Sequence, residues 1–348
     1  MKPALILACT IAAAAVAGLA VSLVDRPGAH PQSPNQGPPQ GLAPTPIPHQ
    51  PDVELGFSVA DDAATGQVVL FGGVDNYSST WLWNGHAWTL TRPATSPAGR
   101  FGASSAYDPQ SREILLFGGR LEPGQLADDT WAWTGRTWKE VNRGGAGPPG
   151  GEGSDMAWDS ALGQMMLVTP AAGSPDGAET WVWSATRWVR EPGGDLGSAD
   201  STIVIAFDPL SQSMLAEGCC AQTGNAAISR KPNTWRWDGS GWVAITTSLN
   251  PLDGSLLALD PASGHLILCA CDLSGGLFPE LWAWSGEDWQ SLEIQPIPVE
   301  PEAEVTDVGR HQFLLLGSAS AVSVAQPVQT WTLRGPAWRR LDPQQASG

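Results

Sequence analysis

The chain has 348 residues, enough for two ordinary domains or one large all-β domain. Its 18 Lys and Arg against 35 Asp and Glu give a net charge of −17, which argues against a nucleic-acid partner and against docking on an anionic membrane surface. Only 15% of residues are charged while 42% are hydrophobic, so the chain is neither disordered throughout nor one long polar helix. The 40 Gly and 30 Pro are helix breakers and favour short strands joined by many turns.

Residues 3–24 carry no charge, and are flanked by Lys2 and by Asp25 and Arg26. That length suits a membrane-crossing helix, and equally a cleaved secretory signal with small residues at Ala15/Ala17 or Gly18/Ala20. Cys9 adds a third option, a lipoprotein signal, although the apolar stretch runs well past it. Residues 26–52 are rich in Pro and polar residues and read as a semi-extended spacer. The expected organisation is a signal peptide or membrane anchor over 1–25, a disordered Pro-rich linker over 26–52 and a repeat domain over 53–343. Each option for the first segment places that domain outside the cytoplasm, membrane-anchored or secreted.

The remainder repeats. Trp-x-Trp, four residues and a further Trp occur at Trp81/Trp83/Trp88, Trp131/Trp133/Trp138, Trp181/Trp183/Trp188, Trp235/Trp237/Trp242 and Trp282/Trp284/Trp289. A sixth copy has Trp331 and Trp338 with Leu333 between them. A Thr precedes the first Trp in five copies, at Thr80, Thr130, Thr180, Thr234 and Thr330. Upstream of the triplet lies an Ala-apolar-Asp turn starter, as in Ala106-Tyr107-Asp108, followed by an apolar run ending at Phe117-Gly118-Gly119. Each unit therefore reads as four strands: A over residues 101–107 in unit two, B over Glu113–Phe117, C with the Trp-x-Trp, and D with the last Trp. Period two puts both Trp of strand C on one face. Asn84-Gly85, Thr134-Gly135, Asp238-Gly239 and Ser285-Gly286 mark tight C–D hairpins. Six such units define an all-β, six-bladed β-propeller, preceded by a hydrophobic helix and the Pro-rich linker.

On these motifs the sequence resembles the kelch-repeat family, the β-propeller type of the galactose oxidase central domain. Gly72-Gly73 with Trp81 and Trp88, and Gly118-Gly119 with Trp131 and Trp138, match its diglycine and its aromatic pair seven positions apart. Arg100 resembles the Arg that often opens a kelch unit. The later units keep the Trp spacing and lose the diglycine. The resemblance implies the fold, and implies no single role, because kelch-like rings host many.

The Trp residues are either stacking platforms for sugars or filler between wedge-shaped blades. All 18 fall in repeat positions, Trp158 at the Ala-apolar-Asp register, so the filler reading is preferred. The A–B and C–D turns are short. The B–C connections vary, with seven residues between Gly73 and Trp81, eleven between Gly119 and Trp131, and fifteen between Cys219 and Trp235. The D–A connections are long and irregular. Variable loops on a rigid scaffold are where binding lives, so Asp75, Asn76, Tyr77, Arg120, Asp129, Arg143 and Arg230 are the candidate binding residues.

Catalytic patterns are poor. His86, His265 and His311 sit at C–D or A–B turns, on the face opposite those loops. The two Tyr and the His do not form the copper set that the galactose oxidase resemblance requires. Cys219, Cys220, Cys269 and Cys271 follow or end strand B in units four and five. Outside the cytoplasm they are expected to form disulfides, preferably between the two blades. A vicinal or local bridge and a four-thiolate metal site are the alternatives. The reading is a monomeric, exported, membrane-tethered binding module needing no metal and no cofactor, whose partner is a protein, peptide or glycan. The alternative is an extracytoplasmic metal/redox or carbohydrate-active enzyme with its site at the channel mouth near the Cys cluster.

Overall fold

The computed structural model describes residues 51, 54–74, 78–122, 124–170, 177–192, 196, 203–218, 234–247, 256–270, 280–318 and 328–341. They form six four-stranded antiparallel sheets, the six expected blades. Blade 1 holds β1 (Glu54–Asp62), β2 (Gln67–Val74), β3 (Thr80–Trp83) and β4 (Trp88–Thr91). Then come β5 (Arg100–Phe101), β6 (Ser104–Asp108), β7 (Glu113–Phe117), β8 (Arg120–Leu121), β9 (Thr130–Trp133) and β10 (Trp138–Asn142). Of these, β6, β7, β9 and β10 make blade 2, while β5 and β8 pair as a separate ribbon. Strand A of this unit, expected as one run over 101–107, is thus broken at Gly102, whose φ of +67° an L side chain rarely adopts.

Blade 3 holds β11 (Asp155–Asp159), β12 (Gln164–Pro170), β13 (Ala178–Ser184) and β14 (Arg187–Glu191). Blade 4 holds β15 (Ile203–Asp208), β16 (Ser213–Gly218), β17 (Thr234–Trp237) and β18 (Trp242–Ile245). Blade 5 holds β19 (Leu256–Asp260), β20 (His265–Ala270), β21 (Glu280–Trp284) and β22 (Trp289–Ser291). Blade 6 holds β23 (Glu300–Asp307), β24 (Gln312–Ser318), β25 (Gln329–Arg334) and β26 (Ala337–Arg340). Among the described residues no helix is long and apolar enough to cross a membrane, and the expected N-terminal segment and linker lie outside them.

The first strands of the blades pack against one another around the axis, β23 meeting β1 as the others meet their neighbours. Among the described residues every blade takes its four strands from one repeat, so no strand is borrowed where the ring closes; there Val328 N–H donates to the Pro51 carbonyl at 3.0 Å. There is one apolar cluster at each of the six interfaces instead of a single core. Period two explains this. On β2, Val68 and Leu70 face blade 6, while Val69 and Phe71 face blade 2. At the A–B turns the repeated Asp, such as Asp159 or Asp208, accepts backbone N–H groups two and three residues on.

The indoles fill the wedges. None of the 18 Trp is exposed, and Trp83, Trp88, Trp133, Trp138, Trp284 and Trp289 are fully buried. The four-residue gap before the last Trp is the C–D hairpin, which pairs Trp83 with Trp88 and their counterparts across the strands, with ring centroids 5.0–5.4 Å apart. Each seam is then pinned by a repeated bond. The strand-D indole N–H donates to the hydroxyl of the Thr that precedes the first Trp of strand C in the preceding blade. The pairs are Trp88 to Thr330 (2.7 Å), Trp138 to Thr80 (3.1 Å), Trp188 to Thr130 (3.0 Å), Trp242 to Thr180 (2.8 Å) and Trp289 to Thr234 (3.0 Å). Blade 5 has Leu281 where the other blades have this Thr, and the buried indole nitrogen of Trp338 in blade 6 has no partner. The Thr thus ties five of the six seams across the interface.

Cys269, expected in a bridge, is a free thiol on β20, 3% exposed in the apolar cluster between blades 5 and 6. Burial, and after it the charge of Glu304, pushes this thiol well up, so it stays protonated, the form that neither attacks nor ligates. Cys219, Cys220 and Cys271 lie outside the described residues.

Candidate functional site

The loop-bearing face is best defined over blades 2 and 3. Arg100, 1% exposed, donates to the carbonyls of Ala98 and Gly118 (both 3.0 Å) and makes a bidentate pair with Asp129 at 2.5 and 3.0 Å. The second Asp129 oxygen also accepts the indole N–H of Trp131 at 2.7 Å. Burial pushes the Asp129 carboxyl up, but the Arg100 guanidinium and the Trp131 indole more than reverse this, holding it below the usual range. Asp129 is therefore committed to joining the start of blade 2 to its strand C. Arg100, noted in the sequence only for its family resemblance, is the centre of this joint.

Above it the loops are tied backbone to backbone. Gly119 N–H donates to Gly151 at 2.9 Å, Ala127 N–H to Gly119 at 2.8 Å and Gly102 N–H to Gly56 at 2.6 Å. The diglycine makes this approach possible. Both residues have positive φ, and a Cβ on Gly119 would lie 2.9 Å from the Phe101 carbonyl. The B–C loop of blade 2 folds on itself through Leu121 N–H to Gln125 and the Arg120–Leu126 bridge. It presents Arg120 in an ion pair with Glu152 of the next connection. Arg143 projects into solvent, with only Glu140 nearby at 3.4 Å. The structure thus brings Arg120, Asp129 and Arg143 to the connections around blade 2, with Arg120 and Arg143 presented outward. Asp75, Asn76, Tyr77 and Arg230 lie outside the described residues.

Two features were missed in the sequence. The first is Asp155, which opens the innermost strand of blade 3. Its carboxylate accepts the backbone N–H of Ile205 in blade 4 (2.8 Å), that of Met156 (2.9 Å) and the Ser104 hydroxyl of blade 2 (3.5 Å). Burial raises its pKa to about 6 against these bonds. The legible signal was a departure from the repeat, since Ser58, Ser104, Val204, Leu256 and Ala303 occupy this register elsewhere.

The second is a half-open crevice of about 350 Å³ on the outer wall between blades 2 and 3. The connection after β10 supplies Asn142, Gly144, Ala146 and Gly147, and blade 3 supplies Trp181, Arg187, Trp188, Val189 and Arg190. The metal-ligand candidates are sparse. Among the described residues no group of three or more His, Cys, Asp or Glu is placed to hold an ion. His86 and His265 sit at the opposite turns, His265 Nδ1 lying 2.7 Å from the Trp284 carbonyl.

No family model matches the chain, and no curated protein sequence does. Solved structures do. The SapL1 lectin in complex with α-methyl fucoside has a TM-score of 0.55 at 14% identity, covering 82% of this chain and 95% of the lectin. YjhT gives 0.54 at 13% identity, covering 82% and 97%. A triple arginine-to-alanine mutant of AofleA from Arthrobotrys oligospora gives 0.55 at 13% identity, covering 84% and 87%. At these identities the likeness establishes the β-propeller fold alone.

Proposed function

We propose that this chain is an exported, membrane-tethered propeller acting as a binding module through its B–C and D–A connections, with a saccharide as the ligand class to test first. The observation that carries the reading is the rim over blade 2. A buried ion pair, positive-φ glycines and cross-loop backbone bonds hold loops rigid while Arg120, Glu152 and Arg143 face outward. Preorganised loops lose little entropy on binding. A fucoside-bound lectin on the same fold supports the choice of ligand class. The uncharged first segment and the Pro-rich stretch after it support the tether.

The test is a glycan array probed with the detergent-solubilised full chain, beside Arg120→Ala/Glu152→Ala. Retention of discrete glycans that weakens in the variant is expected. An array blank for both proteins contradicts the saccharide reading. Asp155 favours a second reading, an enzyme at the channel mouth, because its raised carboxyl suits proton transfer. Turnover of glycosides that Asp155→Asn abolishes would establish that reading in place of the first.

A further inference from the structure

The seams between blades differ on the outer wall, where each D–A connection passes the hairpin of the next blade. Between blades 1 and 2 this space is closed. Thr95 bonds the Thr137 hydroxyl at 2.9 Å, and its carbonyl accepts the Trp138 N–H at 3.2 Å. Between blades 5 and 6, Gln295 N–H donates to the Pro336 carbonyl at 3.0 Å. Between blades 2 and 3 the connection holds the hairpin only through Asn142, which donates to the Thr186 carbonyl at 2.9 Å. It then runs through Gly144, Gly145, Ala146 and Gly147, leaving the crevice open.

Blade 3 departs from the repeat at the same place. In blades 1, 2 and 6 the first indole of strand C donates to the side chain two residues earlier: Trp81 to Ser79, Trp131 to Asp129, Trp331 to Gln329. In blade 3 that residue is Glu179, and it pairs with Arg190 at 3.0 Å instead. The buried indole nitrogen of Trp181, which lines the crevice, is left without a partner. Arg190 lies opposite Trp181 in the strand pairing, and its remaining N–H groups stay open to solvent. Arg187 stands on the rim, exposed. In a chain of net charge −17, two guanidiniums against the one carboxylate of Glu179 leave this small hollow a local excess of positive charge.

We propose that this crevice binds an anionic saccharide of the uronic-acid class. Arg187 and Arg190 meet the carboxylate, because guanidinium donors match its geometry. The sugar ring lies over Gly147 and the accessible edges of Trp181 and Trp188. Asn142, whose amide already donates to the Thr186 carbonyl, has a second N–H to offer a hydroxyl. A volume of about 350 Å³ suits one sugar unit, and the open side lets a polymer continue. The proposal rests on the reading of the chain as a saccharide-binding propeller and adds, on the outer wall, a second site apart from the loop rim.

The experiment is saturation-transfer NMR and tryptophan fluorescence on the detergent-solubilised full chain, titrated with glucuronate, glucose and acetate. Glucuronate is expected to bind about tenfold more tightly than glucose or acetate. Arg187→Ala and Arg190→Ala should each weaken it about fivefold or more. Gly147→Leu should abolish binding by filling the crevice; a Cβ there meets Trp188 at 3.9 Å, an ordinary contact, and an unchanged denaturant midpoint is the check that the variant folds. Arg120→Ala should leave it unchanged. Equal affinity for glucose and glucuronate, or glucuronate binding indifferent to all three crevice variants, overturns the proposal. If neutral glycans bind on the array and glucuronate does not bind at all, the crevice assignment fails while the saccharide-binding reading stands; a blank array together with no glucuronate binding removes both.

Discussion

Five of the six seams between blades end in the same bond, and the seam between blades 5 and 6 does not. At the five, a strand-D indole donates to a threonine hydroxyl across the interface. At the sixth, Leu281 replaces the threonine, and Trp338 is left with a buried, unpaired N–H. That seam also buries Glu304, whose two oxygens have no partner and whose pKa burial raises well above normal. The comparison separates two jobs of the indole. Its bulk fills the wedge at all six seams, while its N–H bonds across the interface at five.

The largest break should come from removing the bulk. Trp242→Ala is expected to cost about 3–5 kcal/mol, read as a shift in the denaturant midpoint. Trp338→Ala should cost less, because Trp338 is only partly buried and makes no cross-seam bond. Next is the bond itself. Thr130→Val keeps the shape and strands the Trp188 N–H, at an expected cost of about 1–3 kcal/mol by the same measurement.

The third prediction concerns pH at the seam between blades 6 and 1. Burial, then the charges of Asp307 and Asp62, raise the Asp61 pKa to about 7. The folded value lies above the unfolded one of about 3.9, so the folded chain holds this proton more tightly. The contribution to stability is therefore full below about pH 4 and declines as pH rises to about 7. Asp61→Asn should stabilise the protein by about 1–3 kcal/mol at pH 8 and have little effect at pH 4, measured by urea titration at both values. The smallest expected effect is a repair. Leu281→Thr supplies the missing acceptor, and a double-mutant cycle with Trp338→Phe should give a favourable coupling of about 1 kcal/mol.

The blade count, the strand boundaries of Glu113–Phe117 and the structural role of the tryptophans were legible because they repeat. The recurring threonine was visible too, but its purpose was not, since its partner lies about 58 residues away in the next blade. Asp129 looked like a free loop carboxylate. Only the fold shows Arg100 reaching it across 29 residues. Cys269 looked ready for a bridge because sequence gives register without direction, and its side chain points into an apolar seam. Asp155 and the crevice by Trp181 were hidden for the opposite reason. They are single departures from the repeat, meaningful only once neighbouring blades stand beside them.

The central claim is that the strand-D indoles hold the ring, by their bulk at six seams and by a cross-seam bond at five. Hydrogen exchange of the indole N–H groups, followed by NMR on the folded chain, tests it most directly. Trp88, Trp138, Trp188, Trp242 and Trp289 should exchange only through global unfolding, with Trp338 faster than all five. Fast exchange at those five, or protection at Trp338 equal to theirs, would contradict the account.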